Sequence, residues 1–175
     1  MTSTFGAGNR RRRVARRGGL LHARASMRLS RRARYALCGV FDLAFHALGG
    51  PVRVMQISER QGIPYRFLEQ IFQDLRRAEL VTGKRGPGGG YVLTRSPEDI
   101  TLRRVLEAVE GPEAFLSEAD AEGWAPSDHR PDFLWSALAD RVATSLEGIA
   151  ISDLCREAAA RSLERDLPTV LDFQI

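Results

Sequence analysis

The segment Ile57-Ser58-Glu59-Arg60-Gln61-Gly62-Ile63-Pro64-Tyr65-Arg66-Phe67-Leu68-Glu69-Gln70 decides how this chain folds. Ile57 to Gln61 has the length of a short helix. Gly62 follows it where the chain needs a residue that takes the left-handed conformation cheaply. Pro64 then stands where a new helix tolerates proline, in its first turn. This second helix is expected to run to about Ala78, with Phe67, Leu68, Ile71, Phe72 and Leu75 as its apolar stripe. Arg66, Glu69, Gln70, Gln73, Arg76 and Arg77 occupy the other face. Two helices joined by a tight glycine turn make a helix-turn-helix, whose second helix is shaped to enter a DNA major groove.

Downstream, Leu80-Val81-Thr82 reads as a strand, Lys84-Arg85-Gly86-Pro87-Gly88-Gly89-Gly90 as a turn, and Tyr91-Val92-Leu93-Thr94 as a second strand. The product is a β-hairpin with a glycine-rich tip, in the place of a wing. Lys84 and Arg85 flank a tip free of side chains, able to approach a phosphate backbone or a minor groove. A nucleotide-phosphate loop would need a helix N-terminus behind it, and here a strand follows. Upstream, Ser30 is placed to cap a helix running to about Leu48, with Tyr35, Leu37, Val40, Phe41, Ala44, Phe45 and Leu48 as its buried face and Gly49-Gly50-Pro51 as its stop. Val52 to Met55 reads as a short extended piece. Past Pro97, Ile100 to Val109 is an amphipathic helix, and Phe133 to Ile149 is a long one. In the long helix Trp135, Leu138, Val142, Leu146 and Ile149 recur near heptad spacing, as in a helix that packs on a partner helix. Ile151 to about Leu163 is expected as a last short helix. The architecture is therefore mainly α: a winged helix-turn-helix with a long dimerisation helix.

Five regions result: a basic extension over 1–26, a DNA-binding region over 27–97, a helix and acidic loop over 98–130, the dimerisation and C-terminal helices over 131–163, and a loose tail over 164–175. Residues 1–26 carry seven Arg and no acid, have no apolar periodicity, and are expected to be disordered. No apolar stretch follows their arginines as an export signal requires. Ordered structure is expected to open at Met27, with the preceding residues read as the product of a misplaced start codon. Residues 27–97 hold twelve Lys and Arg against five acids, and residues 98–175 hold seven against seventeen. A basic first half beside an acidic second half places a nucleic-acid face on the first half only.

On the second helix of the turn, Arg66, Glu69 and Gln70 lie near the N-terminal end, where side chains reach base edges. Arginine can read guanine, glutamine can read adenine, and a glutamate can accept from the cytosine amino group. A carboxylate near phosphates is costly, so Glu69 favours sites that offer it a donor and penalises the rest.

Met27-Arg28-Leu29-Ser30, Arg34-Tyr35-Ala36, the segment from Ile57 to Ile63, Leu68-Glu69-Gln70 and Arg85-Gly86-Pro87-Gly88-Gly89-Gly90-Tyr91 together resemble the Rrf2 family of transcriptional regulators, in order and at matching spacing. The resemblance covers residues 27 to about 155. Leu134-Trp135 and Asp140-Arg141 carry it into the long helix. It implies a homodimer on pseudo-palindromic promoter DNA, acting chiefly as a repressor. It puts Phe67, Glu69 and Gln70 at major-groove contacts and Arg85 at the minor-groove contact of the wing. Arg28, Arg66, Lys84, Gly86 and Gly88 complete the expected DNA-contacting set.

Within that family the chain resembles the iron–sulfur members but lacks their cluster-ligating cysteines. Those members hold the cluster with three closely spaced cysteines in the loop before the long helix. Here that loop, Gly111 to Arg130, has none, and His129 and Asp132 fall near ligand positions. A thiolate cluster needs cysteine sulfur, so no iron–sulfur cofactor is expected. Nor is another metal, because Glu122, Asp128, His129 and Asp132 do not repeat at ligand spacing. Instead the loop is a candidate receptor for an unidentified protein or small-molecule effector, with Trp124 more at home packed on the long helix than as an anchor. Cys38 and Cys155 are too few and too far apart for a disulfide framework, which fits the cytoplasm. No apolar run approaches the ~20 residues of a membrane span. The histidines His22, His46 and His129 lie in unrelated segments, with no nucleophile motif near them, so no enzyme is expected. The competing reading is a protein-interaction module with a vestigial helix-turn-helix and the acidic half as its working surface.

Overall fold

The computed structural model describes residues 29–47, 49–111, 131 and 133–165. Helix α1 (Arg31–His46) starts at Ser30, whose hydroxyl accepts a hydrogen bond from the Ala33 amide at 2.9 Å, one of the donors that a helix start leaves unpaired. It is the central element, packed against α2 (Val54–Gln61), α3 (Tyr65–Arg77), α4 (Leu102–Glu110) and α6 (Ile151–Ala160). Its fully buried face is Ala33, Ala36, Gly39, Val40, Asp42, Leu43 and Phe45. The expected stripe is thereby rotated: Tyr35, Leu37, Phe41 and Ala44 are only half-buried, because helices cover α1 on several sides. Leu48 lies outside the described residues.

Helix α2 begins at Val54, three residues before the expected start, so Val52 to Met55 is not an extended piece. The side chain of Gln56 accepts from the Arg53 amide at 3.0 Å and closes the first turn there. Only Val52 is extended: it pairs antiparallel with Tyr91, with Val52 N–H to Tyr91 O at 2.9 Å and Tyr91 N–H to Val52 O at 2.8 Å. Helix α2 ends at Gly62, which has φ 63° and ψ 28° and donates its amide to the Ser58 carbonyl. Ser58 locks the turn, because its carbonyl also accepts from the Ile63 amide and its hydroxyl donates to the Ile63 carbonyl at 2.6 Å.

Pro64 precedes the first residue of α3, where a missing amide proton costs nothing. Leu68, Ile71, Phe72 and Leu75 are buried, and each contributes on the order of 1.5–3 kcal/mol of apolar transfer. Strands β1 (Val81–Lys84) and β2 (Gly90–Leu93) pair antiparallel, with Val81 opposite Leu93 and Lys84 opposite Gly90. The Tyr91 ring lies 5.0 Å from that of Phe72, which seats the hairpin on α3. Helix α4 is capped by Thr101 and ends at Glu110, and α5 spans Phe133–Glu147. A second bridge, Thr101 with Ala150, joins the start of α4 to the start of α6.

Helix α5 ends at Glu147, so Ile149 lies beyond it, with its carbonyl accepting from the Leu102 amide at 2.9 Å. The expected partner-facing seam divides. Leu146 is buried within its own chain beside Ala33 and Leu106, with Val142 packed against them, whereas Leu138 is 51% exposed and Ile149 37%. Phe133 and Leu134 are exposed as well. The reason is that α5 leans on α4 of its own chain through one edge, so a single heptad stripe serves two surfaces. The side chain of Trp135 lies outside the described residues, as do the basic extension, residues 112–130 of the acidic loop, and the tail from residue 166.

Candidate nucleic-acid interface

The outward face of α3 presents Arg66, Phe67, Glu69, Gln70 and Gln73, all exposed. Four residues of the expected apolar stripe are in the core, but Phe67 is 53% exposed and does not belong to it. Its ring leans on Tyr35 of α1, with centroids 6.3 Å apart and planes at 58°. Phe67 thus borders one edge of the exposed side of the helix, next to Gln70, while Glu69, two residues on, borders the opposite edge.

Glu69 accepts a hydrogen bond from the Tyr65 hydroxyl, Tyr65 Oη to Glu69 Oε1 at 2.9 Å. The pairing is one helical turn long, the spacing at which side chains on one face meet. That hydrogen bond, more than desolvation and the charge on Glu69, raises the pKa of Tyr65 above the ordinary tyrosine value and keeps its hydroxyl a donor. The sequence reading had not singled out Tyr65, although its i, i+4 spacing to Glu69 was visible there.

Lys84 and Arg85 are exposed at the end of β1, and the turn from Gly86 to Gly89 follows them. Gly86 and Gly88 both take positive φ, at 101° and 78°. At Gly90 a Cβ would stand 2.5 Å from the Val52 carbonyl oxygen, so only glycine lets β2 lie against Val52. Elsewhere on the basic half, Asp74 of α3 pairs with Arg32 of α1 and with Arg77, tying the arginine-rich start of α1 to the recognition helix. Arg28 lies outside the described residues.

The structure therefore exposes Arg66 and Gln70 on the outward side of α3, with Glu69 at one edge and Phe67 at the other, and sets Lys84, Arg85, Gly86 and Gly88 on a hairpin seated against the same helix. The two cysteines lie apart from that surface, on α1 and α6. Both are half-buried, and burial pushes both thiols above the usual cysteine pKa. The cluster that the resemblance implies takes three closely spaced cysteine thiolates. Two protonated helix cysteines and a cysteine-free loop do not fit the cluster that the family resemblance implies. No group of three or more His, Cys, Asp or Glu suited to a metal ion occurs among the described residues. None of the described helices is long and apolar enough to cross a membrane.

A helix-turn-helix with an exposed polar second helix and a basic hairpin beside it defines a winged helix-turn-helix DNA-binding protein. The chain belongs to the Rrf2 family: residues 29–157 match the family described as Rrf2, iron-dependent transcriptional regulator. It is 39% identical over 132 residues to the HTH-type transcriptional regulator IscR of Aliivibrio salmonicida, covering 73% of this chain and 77% of that one. Among solved structures it is similar to IscR of T. potens, at 30% identity and a TM-score of 0.64 over 79% of this chain and 93% of that one. It is also similar to CymR, the global cysteine regulator of B. subtilis, at 30% identity and a TM-score of 0.62 over 74% of this chain and 97% of that one. The protein is accordingly a DNA-binding transcriptional regulator, and the reading of its helix-turn-helix as vestigial finds no support in these likenesses.

Proposed function

We propose that the protein is a sequence-specific repressor acting as a homodimer on pseudo-palindromic promoter sites. The observation that carries this reading is the outward side of α3, which exposes Arg66 and Gln70 between Glu69 at one edge and Phe67 at the other, with Lys84 and Arg85 on the wing beside it. In a dimer two such faces enter major grooves about one helical turn apart. Gln70 reads adenine, Glu69 reads the cytosine amino group, and Arg66 reads guanine. Arg85 and the glycine tip reach the minor groove, Lys84 neutralises phosphate, and Arg28 tracks the backbone beside α1. Leu138 and Ile149, with Phe133 and Leu134, form the apolar surface that the second copy covers. Trp135 completes the proposed dimerisation set, and Val142 and Leu146 support the surface from within their own chain.

The regulator works without a thiolate cluster and without catalysis, in the cytoplasm, and the acidic loop before α5 takes up a protein or small-molecule signal. Binding of labelled duplexes, selected from a randomised library, tests the reading at several salt concentrations. Glu69→Ala is expected to relax base preference at one position of each half-site. Arg85→Ala is expected to weaken binding, and Lys84→Ala to weaken it about uniformly across sequences and lower the salt slope by about 1. Equal affinity for selected and scrambled duplexes would overturn the reading.

A further inference from the structure

We propose that Tyr65 is a specificity-determining residue of the DNA interface: its hydroxyl holds the Glu69 carboxylate in the pose that accepts a hydrogen bond from a base. The inference rests on the reading that Glu69 faces base edges. Tyr65 is the first residue of α3, and its side chain is exposed on the same surface as Glu69. The Tyr65 hydroxyl donates to Glu69 Oε1 at 2.9 Å, leaving Oε2 to accept from a partner in the groove.

The physical need for such a residue is specific to a glutamate. Its side chain has three rotors, and freezing them costs free energy on binding. Its charge is repelled by phosphates on both sides of the groove, so an untethered carboxylate is driven back toward solvent. A neutral donor on the same helix face answers both problems. It restricts the rotors before DNA arrives, and it delocalises part of the charge on Oε1 without offering the groove a second anion. An arginine or lysine in that place would also bind Glu69, but it would neutralise the carboxylate and seek phosphate itself. The tyrosine leaves the discrimination against donor-free bases in force, because Oε2 still loses its partner when the base opposite is not a cytosine or adenine amine.

Full-length protein and the variants Tyr65→Phe, Glu69→Ala and Tyr65→Phe/Glu69→Ala are put through selection on a randomised duplex library, followed by competition between duplexes that differ at one base pair. Tyr65→Phe keeps the ring and removes only the hydroxyl. It is expected to reduce the preference at the Glu69 position by about three- to tenfold. Preferences at other positions, the salt slope and the melting temperature are expected to stay at their wild-type values, which a merely structural role for the tyrosine would not produce. In the Glu69→Ala background the same change is expected to have no effect. A Tyr65→Phe preference equal to wild type, with Glu69→Ala relaxed, overturns the role of Tyr65 alone. An unchanged preference in Glu69→Ala overturns base reading by Glu69, and the role of Tyr65 with it.

Discussion

Asp42 of α1 is fully buried and grips Arg60 of α2 in a forked ion pair, with Arg60 Nη2 at 2.6 Å from Oδ1 and Arg60 Nε at 3.0 Å from Oδ2. Gln61 donates to Oδ2 as well, at 2.8 Å. A carboxylate so far from water is tolerable only when charge and hydrogen bonds surround it. Its position also matters for DNA binding. The pair clamps the last turn of α2 to α1 just before the glycine turn, and that turn sets the direction in which α3 leaves.

Removing one partner of this pair is expected to cost far more than removing both. Arg60→Ala leaves a buried charge short of its main donor and should lower unfolding free energy by about 3–5 kcal/mol. Asp42→Leu combined with Arg60→Met should recover most of that loss, since well-packed apolar residues often replace a buried pair without penalty. Urea denaturation of the single and double variants provides the measurement. Additive losses would show that the pair is not coupled.

At Gly39 two effects oppose each other. A Cβ there would meet Phe72 Cε2 at 3.1 Å and Leu68 Cδ2 at 3.3 Å, so α1 and α3 touch almost backbone to side chain. Alanine gains about 1 kcal/mol of helix propensity over glycine and loses a similar amount to crowding. Gly39→Ala is therefore expected to stay within about 1 kcal/mol of wild type, while Gly39→Val, with two further methyls, should lose about 1–3 kcal/mol. Chemical denaturation separates the two, and a stabilised valine variant would contradict the packing described.

Gly90→Ala should open the pairing between Val52 and Tyr91, because the added methyl would fall on the Val52 carbonyl. Two backbone hydrogen bonds are lost, at roughly 0.5–1.5 kcal/mol each. Hydrogen exchange is expected to speed up at the Val52 and Tyr91 amides while the amides of α3 stay protected. DNA affinity should fall because the wing is no longer seated. Unchanged protection at Val52 would refute this.

Cys38 and Cys155 are expected to alkylate sluggishly. Burial raises the Cys38 thiol first, Asp42 adds to it, and Arg34 opposes. Burial likewise leads for Cys155, with Arg165 opposing and Glu98 adding. The thiolate is the reactive form, so a raised pKa shifts the onset of reaction to higher pH. The midpoint of iodoacetamide reactivity should therefore lie above the ~8.5 of a free cysteine. A midpoint below that value would reveal a stabilised thiolate and reopen a redox or cluster-binding role.

Much of the reading head was legible in sequence because its signals are local. Gly62 sits one residue beyond a helical run, Pro64 opens the next helix, Ser30 caps α1, and the run from Gly86 to Gly90 needs no distant partner to be recognised as a tight hairpin turn. The apolar stripe of α3 was also visible, apart from Phe67. Its 3.6-residue spacing fits the buried face, yet Tyr35 meets it from outside the core. Periodicity reports which side of a helix is apolar, and it cannot distinguish an apolar side chain in the core from one offered to a ligand.

The order of elements, the glycine turn, the basic wing and the polar face of α3 follow from the sequence alone, because each depends on residues within a few positions of one another. Tertiary structure decided the rest. Asp42 pairs with residues 18 and 19 positions away, Val52 with Tyr91, Thr101 with Ala150, and Leu146 turns to Ala33 and Leu106 rather than joining Leu138 on the exposed side. Such contacts arise only when loops of tens of residues close, and whether a polar group ends up buried or an apolar one exposed depends on which surfaces that closure brings together.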